Sequence, residues 1–212
     1  MTTRDDVTIV VITKAPNVAK SRLRDECGTA AGNLLAEAML LDTLDAVAAS
    51  SARERVVALP GDAGAWLPAG FGTIVQRGDC LAERLAAVFD DVGAPAIVIA
   101  IDTPQVTATI LDEAADALLR DGIDAVLGPA TDGGYWAIGL READPRVFLD
   151  IPMSTGLTGN AQWRRLRELE LATHLLPELR DIDDLDDAIA AAEQAPDTRL
   201  AATMSLLNAE AR

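Results

Sequence analysis

The sequence predicts an α/β fold in which helices cover both faces of a mostly parallel central sheet. Two continuous apolar runs, VTIVVI at 7–12 and AIVIAI at 96–101, are rich in β-branched residues, as is typical of strands buried on both faces. Between them, the stretch 29–49 spaces its apolar residues at helical intervals. Strand and helix patterns then alternate along the chain, which predicts a doubly wound sheet.

The remaining elements continue this alternation. Further strands are predicted at 55–59, 73–76, 125–127, 136–140 and 174–176, and further helices at 81–91, 107–120, 159–171 and from about 188 onward. Thr107 is expected to cap its helix, because a threonine hydroxyl accepts a hydrogen bond from the first turn. The chain has 212 residues and shows no internal repeat, so residues 1–212 are expected to form one domain.

Charge and composition limit the partners of this protein. The formal net charge is −16 at pH 7, which argues against nucleic acid or an anionic membrane as a partner. No export signal and no apolar run of ~20 residues is visible, so we expect a cytoplasmic protein, monomeric or homodimeric. Two cysteines and one histidine are too few for a Cys/His zinc site.

A basic loop follows the first predicted strand. Lys14, Lys20 and Arg22 lie in it, and ligands of open parallel sheets bind where the strands end. Lysine supplies a point charge and arginine a fork that holds two oxygens, so the three could surround phosphates. The loop lacks the glycines of the GxxxxGK[ST] and GxGxxG motifs. A solvated basic loop is therefore the alternative interpretation.

Three acidic segments could complete a site. Asp102 follows the AIVIAI run and can either hold a divalent cation against a diphosphate or cap the turn before Pro104. Asp132 precedes Gly133-Gly134, a pair that permits close approach to a ligand but also suits an ordinary turn between strands. In DIDDLDD at 181–187, one aspartate is expected to cap a helix, and another could join Asp102 at a metal.

Taken in this order, five segments resemble one bacterial family, the radical-SAM/selenodomain-associated transferases of the nucleotide-diphospho-sugar transferase superfamily. The segments are TKAPNVAKSRL (13–23), LLDTLDA (40–46), IDTP (101–104), GPATDGGYWAIGL (128–140) and DIDDLDD (181–187). The resemblance covers most of the chain and implies a Rossmann-like GT-A fold. One departure is Met153, which stands where the family commonly has a tryptophan before Ser-Thr.

The resemblance also implies roles for particular residues. It implies Asp102 and Asp183 as ligands of Mg²⁺ or Mn²⁺. The residues implied at the phosphates are Lys14, Lys20, Arg22 and Thr103. The segment Asp132–Tyr135, with Gly133 and Gly134, is implied to border the acceptor or sugar pocket. The residues implied in catalysis are Asp102, Asp132, Lys20 and Arg22.

Three functions remain open on the sequence. The first is a glycosyltransferase that moves a sugar from a nucleotide-sugar to a small-molecule acceptor. The second is a nucleotidyltransferase that joins an NTP to a small phosphorylated acceptor and releases pyrophosphate, because the same motifs resemble the guanylyltransferases of molybdenum-cofactor and deazaflavin-cofactor synthesis. The third is a noncatalytic module that binds a nucleotide or a protein partner.

Overall fold

The computed structural model describes residues 6–210, which contain a seven-stranded sheet. Its strands are β1 (Thr8–Ile12), β2 (Glu54–Leu59), β3 (Gly72–Val75), β4 (Ala96–Ile99), β5 (Ala125–Pro129), β6 (Tyr135–Leu140) and β7 (Thr173–Leu175). They lie in the order β3-β2-β1-β4-β6-β5-β7, and β6 runs antiparallel to both neighbours while the other pairings are parallel. The predicted mostly parallel sheet is therefore confirmed.

Helices cover both faces of the sheet. They are α1 (Ser21–Cys27), α2 (Thr29–Ala49), α3 (Leu81–Val92), α4 (Ala108–Leu118), α5 (Thr158–Glu168), α6 (Leu185–Gln194) and α7 (Arg199–Glu210), with a 3₁₀ helix at Pro145–Phe148. The bounds of α2 agree with the prediction, and the Thr107 hydroxyl caps α4 by accepting from Ile110 N. Two predictions were wrong, because α1 begins inside the segment expected to be a loop and the single terminal helix is divided into α6 and α7.

Alternate residues of the central strands enter two separate cores. On β1, Ile9 and Val11 pack into a first core with α2, α4, α6 and α7, whereas Val10 packs into a second core with α3, α5 and the 3₁₀ helix. The same alternation on β4 places Ile97 in the first core and Val98 in the second. Because both faces are covered, the strands read as continuous apolar runs.

The LLDTLDA segment joins α2 to α7. Asp42 accepts hydrogen bonds from the backbone N–H groups of Arg199 and Leu200 at 2.8 and 3.0 Å, and Asp45 pairs with the Arg199 guanidinium at 2.7 Å. Carboxylates satisfy the otherwise unpaired amides of the first turn of a helix and suit its positive end. These two aspartates therefore have a structural role away from the sheet edge.

Within the described residues, none of the helices is both long and apolar enough to cross a membrane.

Candidate active site

A cavity of about 510 Å³ lies where the central strands end. Its lining comes from β1, β4 and β6, from α1, α3 and the start of α5, and from the segments around residues 101, 131, 154 and 182. The charged side chains in the described part of the lining are one arginine, Arg22, and four aspartates, Asp102, Asp132, Asp181 and Asp183. The acidic segments that the sequence placed 30 and more positions apart therefore meet at one cavity.

Lys20 binds the two acidic segments to each other. Its Nζ donates to Asp102 Oδ2 at 2.6 Å and to the carbonyl oxygen of Ile182 at 2.7 Å, and it lies 3.8 Å from Asp183 Oδ1. Ile182 N in turn donates to the carbonyl of Asp102 at 2.9 Å. Burial lowers the pKa of Lys20, but Asp102, Asp183 and Asp181 together raise it above its ordinary value. The ammonium is therefore charged at neutral pH.

Arg22 makes the second cation–carboxylate pair of the site. Its guanidinium lies 2.8 Å from Asp183 Oδ2, and its side chain is 70% exposed. One turn further along α1, Glu26 accepts from Leu185 N, the first residue of α6. The two contacts hold α1 against the start of α6, so the basic segment and the acidic segment DIDDLDD form one surface.

Three carboxylates could share a cation. Oxygens of Asp132, Asp181 and Asp183 all lie within 4.8 Å of one another. Asp181 is 8% exposed and accepts from Asp132 N at 3.2 Å and from the Thr131 hydroxyl at 3.3 Å. Burial, and then repulsion from Asp132 and from Asp102, raises the pKa of Asp181 to about 6. A positive charge at this point would relieve that repulsion.

This cluster fits a hard divalent cation. Mg²⁺ and Mn²⁺ prefer oxygen ligands, and Mg²⁺ is usually held by one or two carboxylates together with substrate phosphates and water. Asp132, Asp181 and Asp183 offer such oxygens beside an open cavity. The pKa of Asp181 is raised partly by repulsion between these carboxylates, and a bound cation would balance that negative charge. Asp102 lies next to them but bonds to Lys20. Its predicted role as a metal ligand stays a prediction.

Glycines shape the turn that carries Asp132. Gly133 has φ +88°, and a Cβ at this position would collide with the carbonyl oxygen of Gly156. Gly159 N donates to the carbonyl of Gly133 at 2.8 Å, and a Cβ on Gly159 would meet the carbonyl of Gly134. The turn 131–134 therefore packs backbone to backbone against the segment 156–159. Asp132 Oδ1 closes the turn by accepting from Gly134 N at 2.6 Å.

Tyr135 follows this turn and lies on the side wall of the cavity. Its hydroxyl lies 3.4 Å from Gln162 Oε1 and 3.9 Å from Met153 Sδ. Gln162 is fully buried and is held by the hydrogen bond from its Nε2 to the carbonyl of Val147. Burial raises the pKa of Tyr135, so the hydroxyl stays neutral.

The structure brings most of the predicted site residues together. Lys20, Arg22, Asp102 and Asp183 form one set of contacts, and Asp132, Gly134 and Tyr135 line the same cavity. Two predicted phosphate-binding residues lie elsewhere. Lys14 is exposed and Thr103 is 1% exposed, and neither belongs to the described lining. Both lie in the right loops, but their side chains do not border the cavity.

Sequence reasoning missed two contributors to the site. Asp181 was considered only as part of an acidic run, although its alternation with Asp183 around the fully buried Ile182 could have indicated that both face the same side. The second is Gly156, which lines the cavity directly after the residues 152–155 at which the sequence departs from the family. The sequence feature that could have indicated this contact is the presence of Gly156 and Gly159, since they allow the close approach to Gly133 and Gly134 that the structure shows.

The fold and the cavity define a scaffold of the nucleotide-diphospho-sugar transferase class. A protein from Desulfovibrio desulfuricans G20, provisionally named as such a transferase, has a crystal structure that matches 86% of this chain and 84% of its own with a TM-score of 0.77 and 26% identity. The model of the family described as "Uncharacterized protein conserved in bacteria (DUF2064)" matches residues 41–155, and the chain belongs to this family. None of the curated proteins compared matches the sequence.

More distant structures share the fold alone. CMP:2-keto-3-deoxy-manno-octonic acid synthetase, solved with CTP, covers 91% of this chain and 99% of its own at 14% identity and a TM-score of 0.58. The Mycobacterium tuberculosis H37Rv protein Rv0371C, solved with manganese, covers 89% of this chain and 98% of its own at 21% identity and a TM-score of 0.54. The predicted GT-A-like arrangement is therefore confirmed at the level of the fold.

Proposed function

We propose that this protein is a metal-dependent glycosyltransferase that uses a nucleotide-sugar donor. The observation that carries the proposal is the meeting of two cations and four carboxylates at one end of a cavity of about 510 Å³. We name the part formed by Lys20, Arg22, Asp102, Asp181 and Asp183 the charged end, and Asp132 borders it from the turn 131–134. A nucleoside diphosphate with its cation matches this mixture of charges, and the structural similarity to a nucleotide-diphospho-sugar transferase supports it.

In this proposal Asp181 and Asp183 would hold the metal, which when bound would neutralise charge on the phosphate oxygens. Lys20 and Arg22 stabilise the negative charge that develops on the departing diphosphate. The acceptor oxygen bonds to the anomeric carbon while the bond from that carbon to the diphosphate oxygen breaks, and the NDP leaves with the electron pair. The acceptor proton passes to the Asp132 carboxylate, which is exposed at the cavity.

A thermal-shift screen against UDP-, GDP-, ADP-, CDP- and dTDP-sugars and the NTPs, with and without Mn²⁺, tests this proposal. We expect one nucleotide-sugar to raise the Tm only when Mn²⁺ is present, since a ligand that binds the native state stabilises it. Asp183→Ala should abolish this rise. The matched control is Asp186→Ala, which removes an exposed aspartate of α6 outside the lining. An undiminished rise in Asp183→Ala would overturn the metal assignment.

The second candidate is a nucleotidyltransferase acting on an NTP and a phosphorylated acceptor. It is favoured by the position of Lys20 and Arg22 at one end of the cavity, since two cations suit a triphosphate, and by the fold shared with an enzyme solved with CTP. Its signature is pyrophosphate release, followed by ³¹P NMR. Stabilisation by nucleotides without turnover of any donor would instead favour a noncatalytic module. The narrower membership among radical-SAM/selenodomain-associated transferases stays a prediction.

A further inference from the structure

The cavity lining also contains a group of apolar side chains. The group consists of Ile12, Leu81, Leu85, Val98, Ile138 and Met153, which we name the apolar wall. All except Leu81 belong to the second core or pack against it, and Val98 and Ile138 are directly paired across β4 and β6. Leu85, Val98 and Ile138 are at most 3% exposed and form the buried base of the wall. Ile12, Leu81 and Met153 are partly exposed and can contact an apolar group in the cavity.

Positively charged partners for a ligand phosphate are confined to the charged end. Among the described lining residues, Arg22 supplies the single positive charge, and it is bound to Asp183. Lys20, outside the lining, is bound to Asp102. The Tyr135 hydroxyl, 3.9 Å from Met153 Sδ, is neutral. A phosphate on the apolar wall would lose its hydration and gain no cation, which is strongly unfavourable.

The position of Asp132 shows which substrate meets this wall. A general base must lie within hydrogen-bond reach of the proton that it removes, so the acceptor hydroxyl has to lie at Asp132. Tyr135 follows the turn that carries Asp132, and Met153 contacts Tyr135. The body of an acceptor anchored at Asp132 therefore extends across Tyr135 and Met153, while the diphosphate lies beside Lys20 and Arg22 of the charged end.

We infer that the acceptor is an uncharged alcohol whose aliphatic or aromatic body binds to the apolar wall, and that phosphorylated acceptors are excluded. This inference rests on the proposed glycosyl transfer and on Asp132 as the base. It separates the two transferase chemistries, because the alternative nucleotidyl transfer needs an anionic acceptor at the same place.

Binding of simple probes tests the inference. We would titrate the full chain with 1-butanol, 1-hexanol, 1-octanol and hexyl phosphate, in Mn²⁺ and the nucleotide selected by the thermal-shift screen, and follow saturation-transfer NMR signals. Each added methylene should strengthen alkanol binding roughly three- to fourfold. Hexyl phosphate should bind at least about tenfold more weakly than 1-hexanol, since its phosphate would be desolvated without a partner. Equal or tighter binding of hexyl phosphate would overturn the inference.

A charge placed on the wall should reverse this preference. Met153→Arg should weaken 1-hexanol binding by about tenfold or more and strengthen that of hexyl phosphate. Leu157→Arg is the matched control, because Leu157 is 67% exposed nearby and outside the cavity lining, and it should leave both affinities unchanged. Met153→Leu, which keeps the wall apolar, should behave like the unaltered chain and guards against misfolding as the explanation.

Nucleotide binding without any acceptor separates this inference from the proposed function. If nucleotide binding in Mn²⁺ is normal but no alkanol binds, the inference is wrong and the transferase proposal stands. If Met153→Arg weakens nucleotide binding in the absence of acceptor, the wall holds the nucleobase and the inference is equally wrong. If alkanols bind but no nucleotide does, the transferase proposal fails, and the assignment of the wall to an acceptor fails with it.

Discussion

The charged end and the turn 131–134 border the same cavity but are held in different ways. The charged end depends on side chains from distant segments, since Lys20 and Asp102 lie 82 residues apart and Arg22 and Asp183 lie 161 apart. The turn depends on its backbone, because Gly133 and Gly134 contact Gly156 and Gly159 with no side chain between them.

Because of this difference, a ligand can replace contacts in the charged end but not those in the turn 131–134. An ion pair at the mouth of a cavity exchanges one partner for a phosphate or a cation, because the new charge compensates for the lost one. A backbone-to-backbone contact has no such substitute, since any added atom collides. We therefore expect changes in the turn to affect folding and changes in the charged end to affect ligand binding, with Lys20 contributing to both.

The largest effect is expected from Gly133→Ala. The left-handed φ costs an alanine about 1–2 kcal/mol, and the collision with the Gly156 carbonyl adds about 1–3 kcal/mol to the loss in unfolding free energy. Gly70→Ala is the matched control, because Gly70 has φ +89° and nothing within 4 Å of an added Cβ. Urea denaturation would measure both. Equal losses in the two variants would show that the close approach contributes nothing.

The next effect is expected from Lys20→Met, which keeps the length of the side chain and removes the charge. Asp102 would then lose its counter-charge beside Asp181, while Asp183 would keep only Arg22, and the side chain of Lys20 is 12% exposed. Breaking a partly buried pair in this way should lower the unfolding free energy by about 2–3 kcal/mol. Lys14→Met, an exposed lysine of the same loop, should change it little. Addition of Mn²⁺ should restore part of the loss.

A smaller effect concerns the pH dependence of stability without metal. The pKa of Asp181 is raised to about 6 in the folded protein, so its carboxyl favours the folded state below its ordinary pKa of 3.8 and loses that contribution as the pH rises through 6. In EDTA, the unaltered chain should lose on the order of 2 kcal/mol between pH 4 and pH 7 relative to Asp181→Asn. Parallel profiles for the two proteins would contradict this.

The smallest effect on stability is expected from Arg22→Gln. The Arg22 side chain is 70% exposed, and exposed ion pairs contribute less than about 1 kcal/mol. Binding of a nucleotide in Mn²⁺ should nevertheless weaken by about tenfold if Arg22 holds the diphosphate. Arg24→Gln is the control, since that guanidinium bonds to backbone carbonyls and lies outside the cavity lining. Isothermal titration would compare the two variants.

Periodicity in the sequence predicted the central elements well and the short ones poorly. The apolar runs of β1 and β4 and the spacing in α2 are strong local signals because these elements are buried. By contrast, α1 spans 7 residues and buries only Leu23, so its pattern does not differ from that of a polar loop. The predicted bounds of β4 were also too long by two residues, since its regular pairing with β6 ends at Ile99 and only the hydrogen bond from Ala100 N to the carbonyl of Trp136 continues it.

The sequence indicated which segments form the site, but not which of their residues contact each other. The five aspartates of DIDDLDD offered several possible ligands, and only the contacts Ile182 N to Asp102 and Lys20 to Ile182 select the orientation that brings Asp181 and Asp183 to the cavity. Asp184 instead caps α6 by accepting from Asp187 N. Adjacent aspartates therefore have different roles. Asp183 follows Ile182, which pairs with Asp102 at the cavity, whereas Asp184 stands at the N-cap of α6.

By itself the sequence determined the α/β class, the order of the main strands and helices, and the loops in which charged residues follow strand ends. These depend on local spacing, because burial on one or two faces leaves a period in the chain. Only the tertiary structure decided that Lys20 bonds to Asp102, that Thr103 is buried, and that Met153 contacts Tyr135. Such contacts depend on how the strands are ordered in the sheet, and no local pattern records that order.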